Sequence, residues 1–359
     1  MRIHRIMVSN IALPSKKIGS WTNLFDFFNS NDSFFDFVLS PGAEAGKYIH
    51  CTKRSWPYYF HKFKRFFLVN WVARDYLKTI QNLSKKSDLL KIVVQDDIAL
   101  LESISLKKFS FDCKIELILY FHGFHLTLPK HVDELVDKVF FLSNSSYKYT
   151  LKNNLQFTPE AYIVGNFILN TKFFIPAVEQ KVMLKESLNI PSDSIVIVWM
   201  ANDRRVKGLH LFEKIAKDLL SSFPELLILV IGSSQEFSES NSRLRHIGRI
   251  NHDLVPQYLQ VSDFYFFPSL WKEGFGLSVV EALLCGNWII TTSSGSLFEI
   301  LNNSSKIFFV KNPNIIQNWI DEFHKAYKIF QTDRYLGPPQ EITEFSYENW
   351  LVKFKTAVG

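Results

Sequence analysis

The chain has 359 residues, 47% of them hydrophobic and 21% charged, a globular balance that excludes a disordered polymer and leaves room for two domains. Its net charge of +6 and pI near 9.0 come with no recognised nucleic-acid motif, so nucleic acid is not an expected partner. No stretch approaches the roughly 18 charge-free apolar residues that a membrane-spanning helix needs.

At the N-terminus, "MRIHRIMVSNIALPSKK" has Arg2, His4 and Arg5 interrupting its apolar residues. It reads as a first strand rather than a signal peptide, which makes a cytoplasmic location the default. Short β-branched and aromatic runs then alternate with helical patterns. Expected strands are 3–8, 35–40, 91–95, 115–121 and 138–143 in the first half, and 195–200, 226–232, 264–268, 288–292 and 306–310 in the second. Several are continuous apolar runs, as in parallel strands covered on both faces. Helical patterns include 209–223 and 315–330. The alternation argues for doubly wound α/β layers. Strand patterning lapses over 171–194, where Pro176 and Pro191 punctuate. Two α/β halves joined there would face each other across a cleft, and open parallel sheets bind ligands at the carboxyl ends of their strands.

Residues 53–78 depart from the even charge distribution. They hold seven cations (Lys53, Arg54, Lys62, Lys64, Arg65, Arg74, Lys78) against Asp75, together with nine aromatics. Such a basic, aromatic, helical stretch suits an anionic bilayer surface; the alternative is a core-packing helix with a solvated basic face. Cys51, Cys113 and Cys285 lie far apart in or near apolar runs, the pattern of buried free thiols in a reducing compartment.

Three loops that follow second-half strands carry the chemistry. "ANDRRVKGLHLF" offers Arg204, Arg205 and Lys207 before Gly208. "SSQEF" follows Gly232, and "SLWKEGFGLSVVEALLCG" follows the strand at 264–268. The last loop sets Glu273 and Glu281 around Gly-Phe-Gly, with Glu281 among apolar helix residues, where a carboxylate is costly without partners. Cations, a Gly-rich turn and a helix N-terminus are what a protein uses to hold a diphosphate without a metal. No Asp-x-Asp occurs, and no His, Cys or carboxylate cluster has ligand spacing. Asp96-Asp97 comes nearest, but neighbours on a strand point to opposite faces. No metal site is expected.

The segment "SLWKEGFGLSVVEALLCG" resembles the E-x-F-G-x-x-x-x-E segment of retaining glycosyltransferases of the GT-B fold, sequence family 4, also called group 1. "VKGLHLFEKIAKDLLSSFPELLILVIG" is similar to the family's Lys-Gly-helix-strand-Gly unit. "HIGRINHDLVPQYLQVSDFYFFPSLWKEGFG" resembles its run of Gly, acidic-capped helix, Asp and Pro-Ser. "YIVGNFILNTKFFIP" and "EFSYENWLVKFK" resemble the stretch closing the first domain and the helix crossing back to it.

The resemblance implies two Rossmann-like doubly wound domains facing across a cleft. An acceptor domain at 1–172 and a nucleotide-sugar domain at 185–338 would be followed by a returning helix at 339–359. It implies that Glu281 accepts from ribose hydroxyls, and that Glu273 with the amides around Phe275 and Gly276 holds the donor sugar. Leu277 and Ser278 would point at phosphate. Lys207 would stabilise the departing diphosphate with one of Arg204 and Arg205, since Ala201 and Asn202 stand where many relatives carry an Arg. Gly19 in "IGSW" matches a phosphate-facing loop, and Gly232 the strand-end glycine. His122 in "YFHGFH" matches a histidine near the sugar, with His125 as competitor. Trp288 occupies a position where relatives often have Pro.

The implied function is metal-independent, retaining transfer from a UDP- or GDP-sugar to a glycan or lipid-linked glycan in cell-surface polysaccharide or lipopolysaccharide synthesis. No cofactor is implied, because the nucleotide sugar is a substrate. The protein would be cytoplasmic, with peripheral contact at the inner membrane face through 53–78. The alternatives are a nucleotide-sugar 2-epimerase of the same fold and an inactive GT-B-like binding protein. A dehydrogenase is disfavoured because no G-x-G-x-x-G follows the first strand.

Overall fold

The computed structural model of the protein describes residues 1–14, 20–54, 71–169, 171–234, 241–301, 304–332 and 344–359. They divide into two compact units, Met1–Gly165 with Leu351–Gly359, and Asn166–Trp350.

The first unit is built on seven strands: β1 (Ile3–Val8), β2 (Phe37–Ser40), β3 (Tyr48–His50), β4 (Leu89–Gln95), β5 (Lys114–Tyr120), β6 (Lys138–Phe141) and β7 (Glu160–Ile163). Their order is β3-β2-β1-β4-β5-β6-β7, and every pairing is parallel. Central β4 is buried along its whole length, which is why its sequence reads as a continuous apolar run rather than an alternation. One face of the sheet sends Ile6, Ile92, Val94, Leu117 and Leu119 against Tyr76, Ile80, Leu100 and Ile104. Aromatic rings dominate elsewhere. Phe354, from the helix Tyr347–Val358, lies 5.5 Å from Phe28 and 5.9 Å from Phe140, both edge-on. The same helix end is held where Lys91 Nζ donates to the Val358 carbonyl at 2.7 Å and Lys138 Nζ to that of Ala357 at 3.0 Å.

The second unit has six strands: β8 (Ile195–Met200), β9 (Leu226–Ile231), β10 (Leu244–Gly248), β11 (Phe264–Phe267), β12 (Trp288–Thr291) and β13 (Ile307–Phe309). Their order, β10-β9-β8-β11-β12-β13, is the 3-2-1-4-5-6 of a dinucleotide-binding sheet, again all parallel. In such a sheet the strand order reverses between the first and fourth strands, here β8 and β11, and ligands bind beyond their carboxyl ends. The core packs Trp199, Phe212, Phe264, Phe266, Trp288, Trp319 and Phe323. Trp288 is fully buried against Phe330 and Phe308, so the ring at the position of a common proline is a packing residue.

All ten expected strands are present, with ends that differ by up to two residues. Three more, β3, β7 and β10, were not expected. Each lies at a sheet edge and is partly exposed, so no continuous apolar run marks it. The segment 171–194 contains the helix Val178–Ser187, tied within its own unit by the Lys181–Asp263 ion pair at 2.8 Å. Asp96 and Asp97 lie just past β4 rather than on it. Asp97 caps the helix Ile98–Ser105 through Leu100 N at 2.9 Å and pairs with Lys53 at 2.6 Å. Cys51 and Cys285 are buried free thiols and Cys113 is half-buried. No described helix is long and apolar enough to cross a membrane.

Candidate active site

The carboxyl ends of β8 to β12 carry loops that are bonded to one another. Leu270 N donates to the Val206 carbonyl at 2.8 Å, joining the loop after β11 to the loop after β8. Gly208 permits this approach: its φ is +79°, and a Cβ there would lie 2.0 Å from the Pro268 carbonyl oxygen. The loop after β12 joins through Gly295, which forms a parallel bridge with Glu273. A Cβ at Gly295 would sit 2.3 Å from the Glu273 carbonyl oxygen. Ser296 N donates to that carbonyl at 2.9 Å.

This framework fixes Glu273. Its carboxylate is nearly buried; Oε1 accepts from Lys207 Nζ at 2.7 Å and from the Ser269 hydroxyl. A buried carboxylate needs such partners, because removing one member of a buried pair costs about 3–5 kcal/mol. Lys207 closes the short turn Arg205–Lys207, and one of its three N–H donors goes to Glu273. Arg204 and Arg205 are both exposed. They differ in setting: the Arg204 guanidinium lies 5.3 Å over the Trp271 ring, whereas Arg205 opens the turn.

Phe275 is buried edge-on to Phe345 at 5.3 Å. Gly276, in the left-handed region, starts the helix Leu277–Leu284. That helix has no side-chain cap, and its first internal bonds run from the amides of Val279 and Val280 to the Gly276 carbonyl. The amides of Leu277 and Ser278 precede those bonds, at the electropositive end. Ser278 Oγ is 2.9 Å from the buried Tyr265 hydroxyl. Glu281, one turn further along, is 3% exposed. The described residues form no hydrogen bond to its carboxylate, and His252 Nε2 stands 3.4 Å from Oε1.

Gly232 N donates to the Gly248 carbonyl at 2.7 Å. Beside it Asp203, which the sequence did not single out, accepts from the Ser233 and Ser234 hydroxyls, the Ser234 amide and Arg249. The Ser233 bond, followed by those of Ser234 and Arg249, holds its carboxyl down at about 2. Asp203 thereby ties the loops after β8, β9 and β10 together. Asp203, Trp271 and His252 contact partners distant in sequence and carry no local signal, whereas Ser269 bonds Glu273 four residues on and stands within the Pro-Ser of its loop.

In the first unit, Gly19 and most of the basic stretch, residues 55–70 with Lys62, Lys64 and Arg65, lie outside the described residues. Lys53 is engaged with Asp97, and Arg54 lies 3.9 Å from Asp75 and 5.3 Å over Trp71. His122 follows β5. Its ring stacks on Trp21 at 4.8 Å, leans on Tyr120 at 4.5 Å and meets the edge of Phe25. Nε2 is 3.0 Å from Gln95 Oε1, and Nδ1 is buried without a hydrogen-bond partner. His125 is exposed beside Thr127 and Tyr149.

Residues 181–335 match the family model of "Glycosyl transferases group 1". The chain carries a glycosyl transferases group 1 domain. The 2-deoxystreptamine N-acetyl-D-glucosaminyltransferase of Niallia circulans is 26% identical over 174 residues, 43% of each chain. The N,N'-diacetylbacillosaminyl-diphospho-undecaprenol alpha-1,3-N-acetylgalactosaminyltransferase of Campylobacter jejuni is 26% identical over 207 residues, 54% of each. The aligned part of this chain therefore spans about half the length of these curated relatives. Anabaena HepE, solved in complex with UDP, superposes with a TM-score of 0.71 over 99% of both chains at 14% identity, which shows a common fold. The second-unit residues just described lie within this matched segment, apart from Phe345.

Although His122 keeps some solvent contact, the rings covering it push its imidazole down to about 3. The unfolded ring, with an ordinary pKa near 6.5, takes up a proton before the native one does. Stability from this group is therefore full above about pH 6.5 and falls as pH drops towards 3. In a histidine NMR titration His122 should show no midpoint between about pH 8 and 5. Trp21→Ala should raise it towards the ordinary value. A wild-type midpoint near 6.5 would contradict this packing.

Proposed function

We propose that this chain is a retaining, metal-independent glycosyltransferase that takes its sugar from a UDP- or GDP-sugar. The observation that carries the reading is the pair of buried carboxylates, Glu273 and Glu281, on either side of an uncapped helix N-terminus at the switch point of the second sheet. Carboxylates are acceptors only, and vicinal diols are paired donors. Glu281 suits a ribose and Glu273 a hexose, with the amides of Leu277 and Ser278 on the diphosphate between them. UDP is favoured as the nucleotide because HepE, of the same fold, was solved with UDP.

In the reaction the bond from the sugar anomeric carbon to the diphosphate oxygen breaks, and the acceptor oxygen bonds to that carbon from the same face. The acceptor proton passes to the leaving diphosphate, so no protein nucleophile is required. What the chain supplies is preorganised positive charge on the leaving group, from Lys207, one of Arg204 and Arg205, and the helix amides. Losing one such donor typically costs about 10²–10³ in rate. Neutral His122 would offer hydrogen bonding to a sugar hydroxyl without adding charge.

The acceptor is proposed to be a glycan or lipid-linked glycan in cell-surface polysaccharide or lipopolysaccharide synthesis. The name of the Campylobacter relative, which includes a diphospho-undecaprenol, supports a lipid-linked acceptor. Contact with the inner membrane face through 53–78 belongs to the same reading, with Lys53 already paired to Asp97 and Arg54 set beside Asp75 and Trp71 at the surface.

Two outcomes are expected. Lys207→Ala should lower kcat for donor hydrolysis at least about tenfold, since its charge matters most in the transition state. In calorimetric titrations Glu281→Ala should weaken binding of the bare nucleoside diphosphate, whereas Glu273→Ala should mainly lower turnover. Unchanged nucleotide binding by Glu281→Ala would remove the ribose assignment. Separately, each cation at an anionic surface contributes about 1 kcal/mol. The protein should co-sediment with anionic but not neutral vesicles, with release by salt. Neutralising Lys62, Lys64 and Arg65 should abolish this and leave donor hydrolysis intact. Equal sedimentation of that variant would leave the stretch a solvated surface.

A further inference from the structure

Glu281 needs something to fix it before a nucleotide arrives. It is 3% exposed, on a helix whose adjoining residues Val279, Val280, Ala282 and Leu283 are also buried. The described residues give its carboxylate no hydrogen bond, and the one basic side chain paired with it among them is His252, at 3.4 Å. His252 in turn has a buried Nε2 with no hydrogen-bond partner. Two orphaned polar groups thus face each other within the same unit, one step short of a bond. Such contacts are often long in the free protein and tighten in the complex.

The turn that carries His252 is held from several sides. Asn251 Oδ1 accepts from Asp253 N at 3.2 Å, and Leu254 N donates to the Asn251 carbonyl at 2.9 Å. Asp253 pairs with Lys172 at 3.0 Å. The His252 ring meets the buried Phe173 ring edge-on at 6.0 Å. Ring position is therefore set by the protein and not by the ligand.

We propose that His252 is a positioning residue of the nucleotide site. With its proton on Nε2, it holds Glu281 Oε1 and leaves Oε2 and the remaining lone pair aimed at the ribose diol. Selection of ribose over 2′-deoxyribose then depends on both members of the pair. The proposal rests on the ribose assignment of Glu281 above. A purely structural His252, packed on Phe173, would affect folding but not sugar discrimination.

The test uses the full chain and three variants: His252→Leu, His252→Gln and His252→Asn. Gln can place an amide N–H where Nε2 stood, and Asn where Nδ1 stood. Each is titrated calorimetrically with UDP and 2′-deoxy-UDP, and with GDP and 2′-deoxy-GDP, with thermal melts as a folding check. Wild type and His252→Gln should bind one ribonucleotide about tenfold or more tightly than its 2′-deoxy form, as expected for a hydrogen bond to a charged acceptor. His252→Leu and His252→Asn should lose most of that ratio, with the weakening confined to the ribonucleotide. A His252→Leu protein that discriminates like wild type overturns the proposal and leaves the ribose assignment standing. If wild type itself does not discriminate, both fall. Should His252→Leu fail to fold, the other two variants decide, and equal ratios in Gln and Asn overturn the proposal.

Discussion

The ion pair between Lys207 and Glu273 is the contact on which the arrangement of loops at the carboxyl ends of the second sheet depends. The two residues lie on loops after different strands, with side chains only 16% and 11% exposed. Charges this far from water are unfavourable unless geometry and additional hydrogen bonds compensate. The Ser269 hydroxyl, the Leu270–Val206 backbone bond and the Gly295 bridge supply that geometry. Together they join the loops after β8, β11 and β12, so the carboxylate can be held only if those three strands are in register. The parallel sheet and its Trp-rich core provide that register. Sheet order, loop glycines and the buried pair form one dependent set.

The first unit meets a different constraint. Its rings pack on one another around Phe28, Phe35, Tyr120, Phe140 and Phe354, which accounts for part of an unusually high phenylalanine content, 34 residues. At the end of β5 the aromatic surroundings continue around His122. The imidazole stays neutral because the rings on its faces exclude water and no carboxylate is bonded to its nitrogens. The same packing leaves Nδ1 and the Gln95 amide nitrogen buried without hydrogen-bond partners, polar capacity that a hydroxyl ligand could use.

Legibility in the sequence followed from where burial was complete. Central strands such as β4 and β9 are covered on both faces and read as unbroken apolar runs. Edge strands β3, β7 and β10 have mixed exposure and left no such mark. The Glu273–Glu281 segment was legible because turn, helix start and both acids lie within a few residues of one another. Asp203 and His252 were not. Their contacts are with Ser233, Ser234, Arg249 and Glu281, which the fold brings to them from distant positions. A pairing made by topology has no local signature. Likewise, the seven cations of 53–78 could be counted in the sequence, but not the engagement of Lys53 with Asp97.

We propose that Glu273 and Glu281 frame a nucleotide sugar at the carboxyl ends of β8 and β11. A crystal structure of the chain with bound UDP tests it most directly. Both ribose hydroxyls are expected within hydrogen-bond distance of Glu281, and the diphosphate over the amides of Leu277 and Ser278 with Lys207 in contact. A nucleotide seated elsewhere, or one whose ribose leaves Glu281 untouched, would contradict it.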